Sequence, residues 1–333
     1  MRKPRWLIIG ANIFHNLVAR YRFLSGRVDS EIGATHRRLT TAQSVAYINR
    51  VFDDYLRYGG LDAKALSGKR VLEIGPGDSL GVALRFYAAG ASQVVCLDKF
   101  FARRVPDQQA VIYRSLRGEL SQSERSRYDE AINLNGGVSI NQDAIRYVYG
   151  VAAEEADQVL EQESFDLIVS RAVLWEIYEL DKALLALDRL LRPSGAMIHK
   201  IACLDWAFRQ EGYHPLEFMT VAEWTYRLMA RDSGKSNRRT INFYRCAMRK
   251  LGYSAAFHIV RVVGAQAELP PDTTTLVKGV HYTEETVRLL HEIRPRLLPC
   301  FRNLCDEDLM VEDMFLVAEK GGTHKVPAIT VTG

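Results

Sequence analysis

The chain has 333 residues, 47% hydrophobic, 25% charged and 10% aromatic, which excludes a disordered, fibrous or disulfide-stapled protein and leaves one elaborated globular domain or two. The net charge of +4 is uneven: Arg2, Lys3, Arg5, Arg20, Arg22, Arg27, Arg37 and Arg38, against Asp29 and Glu31, put +6 on residues 1–38 and leave −2 on the rest. No broad basic face is left to take nucleic acid, and five scattered cysteines without a Cys-x-x-Cys pair suit a reducing cytoplasm.

In chain order, Trp6, Ile9, Ile13, Leu17 and Tyr21 recur at helical spacing, so residues 6–18 and a little beyond read as an amphipathic helix. The stretch is too short and polar to span a bilayer, and no small-residue cleavage site follows it. Thr40 with Gln43 forms a capping-box pattern that opens a second helix, with Ala42, Val45, Ile48, Phe52, Tyr55 and Leu56 on one face and Gly59-Gly60 as its stop. Residues 1–68 are therefore expected to be a helical extension.

A short apolar run then ends at Gly75-Pro76-Gly77 and passes into a helix over 80–89. Further strands are predicted over 93–97 with Asp98 at the end, 146–149, 165–170 and 196–202. An amphipathic helix before the last of these turns Leu184, Leu187, Leu190 and Leu191 inward and stops at Pro193-Ser194-Gly195. Strands alternating with helices predict an α/β fold with a doubly wound parallel sheet, its core over 69–205. Residues 101–144 exceed one crossover and are expected as a helical insertion, a lid or acceptor wall. Residues 206–320 supply mostly helical 206–253, strand-like runs at 255–263 and 309–318, and a helix from near Thr283 to before Pro295; 321–333 reads as a tail.

The glycine turn differs from a dinucleotide fingerprint, which wants glycine at the position held by Leu80; the third glycine, Gly81, comes one place late. Glu73 and Asp78 would repel a pyrophosphate on the following helix, whereas a cofactor with cationic groups would be welcomed. Asp98, 21 residues beyond Gly77, stands where an acid can take both ribose hydroxyls.

Taken together, Val71-Leu72-Glu73-Ile74-Gly75-Pro76-Gly77, Asp98, Ser164-Phe165-Asp166-Leu167-Ile168-Val169-Ser170 and Leu190-Leu191-Arg192-Pro193-Ser194-Gly195 resemble, in order and spacing, the motifs of class I S-adenosylmethionine-dependent methyltransferases. The resemblance implies a mostly parallel seven-stranded Rossmann-like sheet with its last strand antiparallel. It also implies S-adenosyl-L-methionine as cofactor: Glu73, Gly75 and Gly77 on the methionine side, Asp98 on the ribose, Ala153 and Glu154 beside the adenine, and Ser170 ending the fourth-strand motif. His199 and Asp205, then His214-Pro215-Leu216-Glu217-Phe218 and Asn237-Arg238-Arg239, are similar to a poorly characterised bacterial branch of that family.

For the acceptor, the loops after the fourth and fifth strands offer Arg171, Glu176, His199 and His214 as candidate catalytic residues. Each has a structural alternative: His199 a core histidine, His214 a surface ring, Glu176 a helix cap or ion pair. The fourth strand is followed by Ser170-Arg171-Ala172-Val173, neither the Asn/Asp-Pro-Pro-Tyr of amino-methylating enzymes on bases nor a Pro-Cys nucleophile, and Cys203 reads as a core thiol. The basic cluster Arg238, Arg239, Arg245, Arg249 and Lys250 reads either as an anion site or as a solvated helix face. No ligand set has metal spacing. The expected function is methyl transfer to a small-molecule or saccharide-like acceptor, at oxygen rather than nitrogen, with a non-catalytic cofactor-binding scaffold or an aminopropyltransferase as alternatives. The N-terminal apolar stripe is expected either to fold back as a lid, the preferred reading, or to bring residues 1–27 to the inner membrane surface.

Overall fold

The computed structural model describes residues 3–27, 29–30, 34–209, 212–265 and 267–321; Arg2 and the expected tail past Gly321 lie outside the described residues. Seven strands, β1 (Arg70–Ile74), β2 (Gln93–Asp98), β3 (Ile145–Tyr149), β4 (Phe165–Arg171), β5 (Leu191–Ala202), β6 (Tyr253–Val262) and β7 (Val311–Lys320), form one sheet in the order β6-β7-β5-β4-β1-β2-β3. Pairings of β1 with β2, β1 with β4 and β2 with β3 are parallel, whereas β6 and β7 run antiparallel. The expected doubly wound, seven-stranded Rossmann-like sheet is present. Strand β5 starts at Leu191, so the expected stop at Pro193-Ser194-Gly195 falls inside the strand: Arg192, Pro193 and Ser194 are exposed there, and Ser194 takes φ 64°.

The helices of two turns or more are α1 (Arg5–Leu24), α2 (Thr41–Gly59), α3 (Gly81–Ala88), α4 (Pro106–Gly118), α5 (Gln122–Ala131), α6 (Leu180–Leu190), α7 (Glu223–Ala230), α8 (Ile241–Lys250) and α9 (Glu284–Ile293). The chain separates into two compact units. One comprises Gly26–Arg171 with Lys182–Ile198; the other comprises Met1–Ser25, Ala172–Asp181 and His199–Gly333.

In the first unit α2 begins with the expected capping box, the Gln43 N–H donating to Thr40 Oγ1 at 3.3 Å and the Thr40 N–H to Gln43 Oε1 at 3.0 Å. Gly60, at φ 61°, ends it. Of the face predicted for burial, Val45, Ile48, Phe52 and Tyr55 are buried, Leu56 is half-buried and Ala42 is exposed; Phe52 packs edge-on against Phe86 of α3 at 5.1 Å between ring centres. The insertion over 101–144 is helical as expected: α4, then α5 with a Ser121–Glu124 capping box, then a small antiparallel pairing of Ile132–Asn133 with Ser139–Ile140. A parallel pairing of Asp29–Ser30 with Phe101–Ala102 ties the N-terminal segment to the start of that insertion. In the second unit, β6 and β7 bury Ile259, Val260, Phe315 and Leu316, while Tyr226 and Met229 of α7 and Tyr244 of α8 are fully buried among the helices.

Gly81, the glycine one place late for a dinucleotide fingerprint, opens α3 tight against Ile48 of α2. A Cβ there would lie 2.3 Å from Cδ1 and 2.8 Å from Cγ1 of Ile48, which is wholly buried. Gly81→Ala should therefore destabilise the fold by about 1–3 kcal/mol through overpacking, and Ile48→Val in the same chain should recover part of that loss. Equilibrium denaturation checks both; an unchanged midpoint for Gly81→Ala would mean that Ile48 moves aside at no cost.

Candidate active site

The turn after β1 is shaped by two residues in the left-handed region, Gly75 at φ 70° and Gly77 at φ 68°, a conformation that side chains resist. The Gly75 amide donates to the Leu97 carbonyl at the end of β2 (2.8 Å). Three further contacts brace the turn, and the sequence advertised none of them. Tyr113 of α4 accepts from the Leu80 amide at 2.9 Å and from Ser79 Oγ at 3.3 Å. Arg104 donates to the Gly77 carbonyl at 3.2 Å and lies 4.2 Å over the Tyr147 ring. Asp78, read from sequence only as a charge in the turn, is buried and accepts from the backbone amides of Thr35, His36 and Arg37, each at 3.1 Å. Gln108 of α4 holds the far side of that segment by donating to the His36 carbonyl at 2.8 Å. The insertion over 101–144, expected as a lid or acceptor wall, thus carries groups that stiffen the glycine turn.

Two carboxyls flank this turn. Glu73 is buried on β1, paired in register with Cys96, whose thiol lies 3.6 Å from its Oε2. Burial pushes the Glu73 carboxyl up to about 7, against the smaller pulls of the Cys96 hydrogen bond and Arg104. Asp98 ends β2 half-buried, accepts from the Phe100 amide at 3.3 Å, and is likewise pushed up by burial to about 6. Acids desolvated to this degree favour a ligand that brings positive charge or hydroxyl donors. That is the chemistry of S-adenosylmethionine, with its ammonium, sulfonium and ribose. The donor set therefore fits the cofactor that the motifs imply.

The remaining cofactor candidates lie in the same unit. Ala153 is buried and Glu154 half-buried in the short 3-10 turn Ala153–Glu155 after β3, and Ser170 is buried on β4 beside Ile74 of β1. Arg171, expected on the acceptor side, forms an internal tie. Its guanidinium meets Asp54 of α2 at 2.8 Å, with both side chains mostly buried, and lies 5.8 Å over the Tyr47 ring.

The other acceptor-side candidates belong to the second unit. His199 is wholly buried on β5, where burial holds its ring down to about 3 and hence neutral; the core-histidine reading describes it. His214 is held at both ring nitrogens: Nδ1 accepts from the Leu216 amide at 3.0 Å, so Nε2 carries the proton and donates to the Leu289 carbonyl at 2.9 Å. As placed, it has no lone pair open to an acceptor, and it ties its loop to α9. Glu176 is half-buried in the loop after β4, and its Oε2 lies 3.1 Å from where a Cβ on Gly234 would stand; Gly234 itself takes φ 66°, a conformation that other side chains resist. The loop is fastened by Asn237, whose amide donates to the Trp175 carbonyl at 2.7 Å and whose side chain donates to the Leu174 and Ile177 carbonyls.

Members of the expected basic cluster are committed elsewhere. Arg238 is buried, lies 4.0 Å over the Tyr226 ring, and is bonded to the Val221 carbonyl and Glu223. Arg239 pairs with Asp181, and Arg245 with Glu307. Cys203 is buried, and burial pushes its thiol up, as suits an inert core position. Among the described residues, no group of three or more His, Cys, Asp or Glu side chains is placed to hold a metal ion.

Glu73 gives the site a pH signature. Between about pH 4.5 and 7 the folded chain keeps a proton that the unfolded chain has released, so stability falls as pH rises through that window. In the cofactor-free protein, Glu73→Gln should match the wild type near pH 4.5 and exceed it above pH 7 by on the order of 3 kcal/mol. Melting temperature against pH for both proteins is the measurement; parallel curves would refute the assignment.

Residues 45–255 match the family model described as a methyltransferase domain. No curated protein matches the chain in sequence. Among solved structures, the chain is similar to the Haemonchus contortus phosphoethanolamine N-methyltransferase 2 in complex with S-adenosyl-L-methionine, at 14% identity and a TM-score of 0.42 over 82% of this chain, and it spans only 53% of that enzyme. It is also similar to an S-adenosylmethionine-dependent methyltransferase from Mesorhizobium loti (16% identity, TM-score 0.39, 78% of this chain and 98% of that one) and to the [4+2]-cyclase SpnF (18%, 0.40, 81% and 80%). With the family model matched over more than half of its length, the chain belongs to the methyltransferase domain family, and S-adenosylmethionine is its cofactor.

Proposed function

We propose that the chain is an S-adenosylmethionine-dependent methyltransferase acting at oxygen on a small-molecule or saccharide-like acceptor. The observation that carries the cofactor half is the pair of desolvated carboxyls, Glu73 and Asp98, on either side of the Gly75–Gly77 turn. In this reading Glu73, Gly75 and Gly77 receive the methionine portion, Asp98 the ribose hydroxyls, and Ala153 and Glu154 the adenine. Bound there, the cofactor supplies an electrophilic methyl group. What remains for the protein is to orient the acceptor, keep water away and, for a hydroxyl, take up its proton. Glu176 is the residue we assign to that proton, since His199 is sealed in the core and His214 has both nitrogens engaged. The acceptor class rests on the absence from Ser170-Arg171-Ala172-Val173 of the base-methylating motifs and on the ion pairs that occupy Arg239 and Arg245.

Calorimetry and a screen of acceptor classes for cofactor consumption test this assignment. Asp98→Ala removes a charged acceptor of hydrogen bonds and should weaken cofactor affinity about ten- to a hundredfold. Glu176→Gln should leave that affinity near wild type and lower turnover of a hydroxyl acceptor by roughly 10²- to 10⁴-fold. Undiminished affinity in Asp98→Ala would undo the cofactor assignment. Binding without turnover on any acceptor class would favour the non-catalytic scaffold.

A further inference from the structure

Helix α1 is oriented against the usual rule. A helix on a protein normally turns its apolar residues toward the core and its polar ones to water. Here the side facing the rest of its own unit is partly polar. Asn16, buried, accepts from the Asp232 amide at 2.7 Å; Arg5 meets Glu217 at 3.0 Å; and the Lys3 carbonyl just ahead of the helix accepts from the Tyr213 hydroxyl at 2.9 Å. Only Ile8, Asn16 and Ala19 are buried, all on the flank where α1 packs along α7. Ile9 and Ile13 are half-buried, whereas other large apolar residues point away. Trp6 is 70% exposed, Phe14 70%, Leu17 53%, Tyr21 65% and Leu24 73%. At about 100° per residue, Trp6, Gly10, Phe14, Leu17, Tyr21 and Leu24 fall within roughly 80° of one another, on the side of the helix opposite Ile8 and Ala19.

The stripe therefore faces away from the unit that carries α1. Its polar anchors pin it outward. Charge indicates what covers it: residues 3–27 contain no Asp or Glu, and Lys3, Arg20, Arg22 and Arg27 are exposed at the two ends of the apolar face. Trp6 and Tyr21 near those ends are side chains that favour the boundary between water and lipid. Helix α7 exposes a second aromatic-aliphatic pair, Trp224 and Leu228, beside the exposed Arg227. A second copy of the chain is a poor match for this face, because a helix with cations at both ends and no acids would set cation against cation in either direction of pairing. No helix of the described residues is long and apolar enough to cross a bilayer.

We propose that α1 is an interfacial anchor that lays its Trp6–Leu24 stripe into an anionic phospholipid surface, with Lys3, Arg20, Arg22 and Arg27 on the headgroups. The proposal is independent of the acceptor assigned above, since it concerns a helix face that carries none of the proposed site residues. The test is co-sedimentation of the whole protein with vesicles of mixed phosphatidylglycerol and phosphatidylcholine, and with phosphatidylcholine alone. The expected result is binding to the anionic vesicles that is at least about tenfold stronger than to the neutral ones and weakens with added salt. Two variants, Trp6→Ser/Phe14→Ser/Leu17→Ser and Arg20→Glu/Arg22→Glu, should each lose about tenfold or more in that binding. All the replaced side chains are exposed, so melting temperatures should stay at the wild-type value, which separates lost binding from lost folding. Absent or equal binding to the two vesicle types, or binding unchanged in either variant, would overturn the proposal. So would a dimer in sedimentation velocity that the triple serine variant disperses, since that would show a second copy on the stripe.

Discussion

A carboxyl removed from water must find a cation or a set of donors, or else keep its proton, and the cofactor end of this protein is arranged around two carboxyls in that position. Glu73 sits on the strand before the glycine turn and Asp98 at the end of the neighbouring strand, and burial pushes both upward. Arg104 pulls both carboxyls down by less than burial pushes them up, and its guanidinium also holds the Gly77 carbonyl and lies over the Tyr147 ring. The apo site therefore carries an electrostatic cost that a cationic, hydroxyl-bearing ligand relieves. In the proposed function, cofactor binding draws on that relief.

Such a site works only if the turn between the two acids holds its shape. Glycines at positive φ give the turn its path but also freedom, and the surrounding structure removes that freedom from three directions. Tyr113 and Arg104 come from the segment following β2, and the Asp78 clasp brings in the chain before α2. Gly81 completes the arrangement from below, where its missing side chain lets α3 approach Ile48 of α2. Rigidity of the turn is thus assembled from sequence positions between Thr35 and Tyr113.

The sheet was legible in the sequence because each strand is an apolar run bounded by turn residues, and all seven lie within a few positions of where those runs predict them. The largest offset is at β5, whose exposed opening, Arg192 to Ser194, looks like a helix stop when only local punctuation is read. Motif residues such as Glu73, Gly75 and Gly77 were legible for the same local reason. What sequence reasoning missed depends on partners distant along the chain: the Arg171–Asp54 pair spans 117 positions, and the two hydrogen bonds that silence His214 involve Leu216 and, 75 positions on, Leu289. The direction of the α1 stripe was left between two readings for a different reason. Amphipathic periodicity shows that a helix has an apolar side, and only the polar anchors Asn16 and Arg5 reveal which side the protein keeps.

The Asp78 clasp has an asymmetry of information. One half is a specific carboxylate, and the other half is three consecutive amide N–H groups, which Thr35, His36 and Arg37 would offer equally well as almost any other residues. Side chains in that half are at liberty to vary while the clasp persists, provided that proline stays out of the three donor positions. A reader of residue types would see only an aspartate after a glycine turn, because the segment that secures it writes no signature of its own.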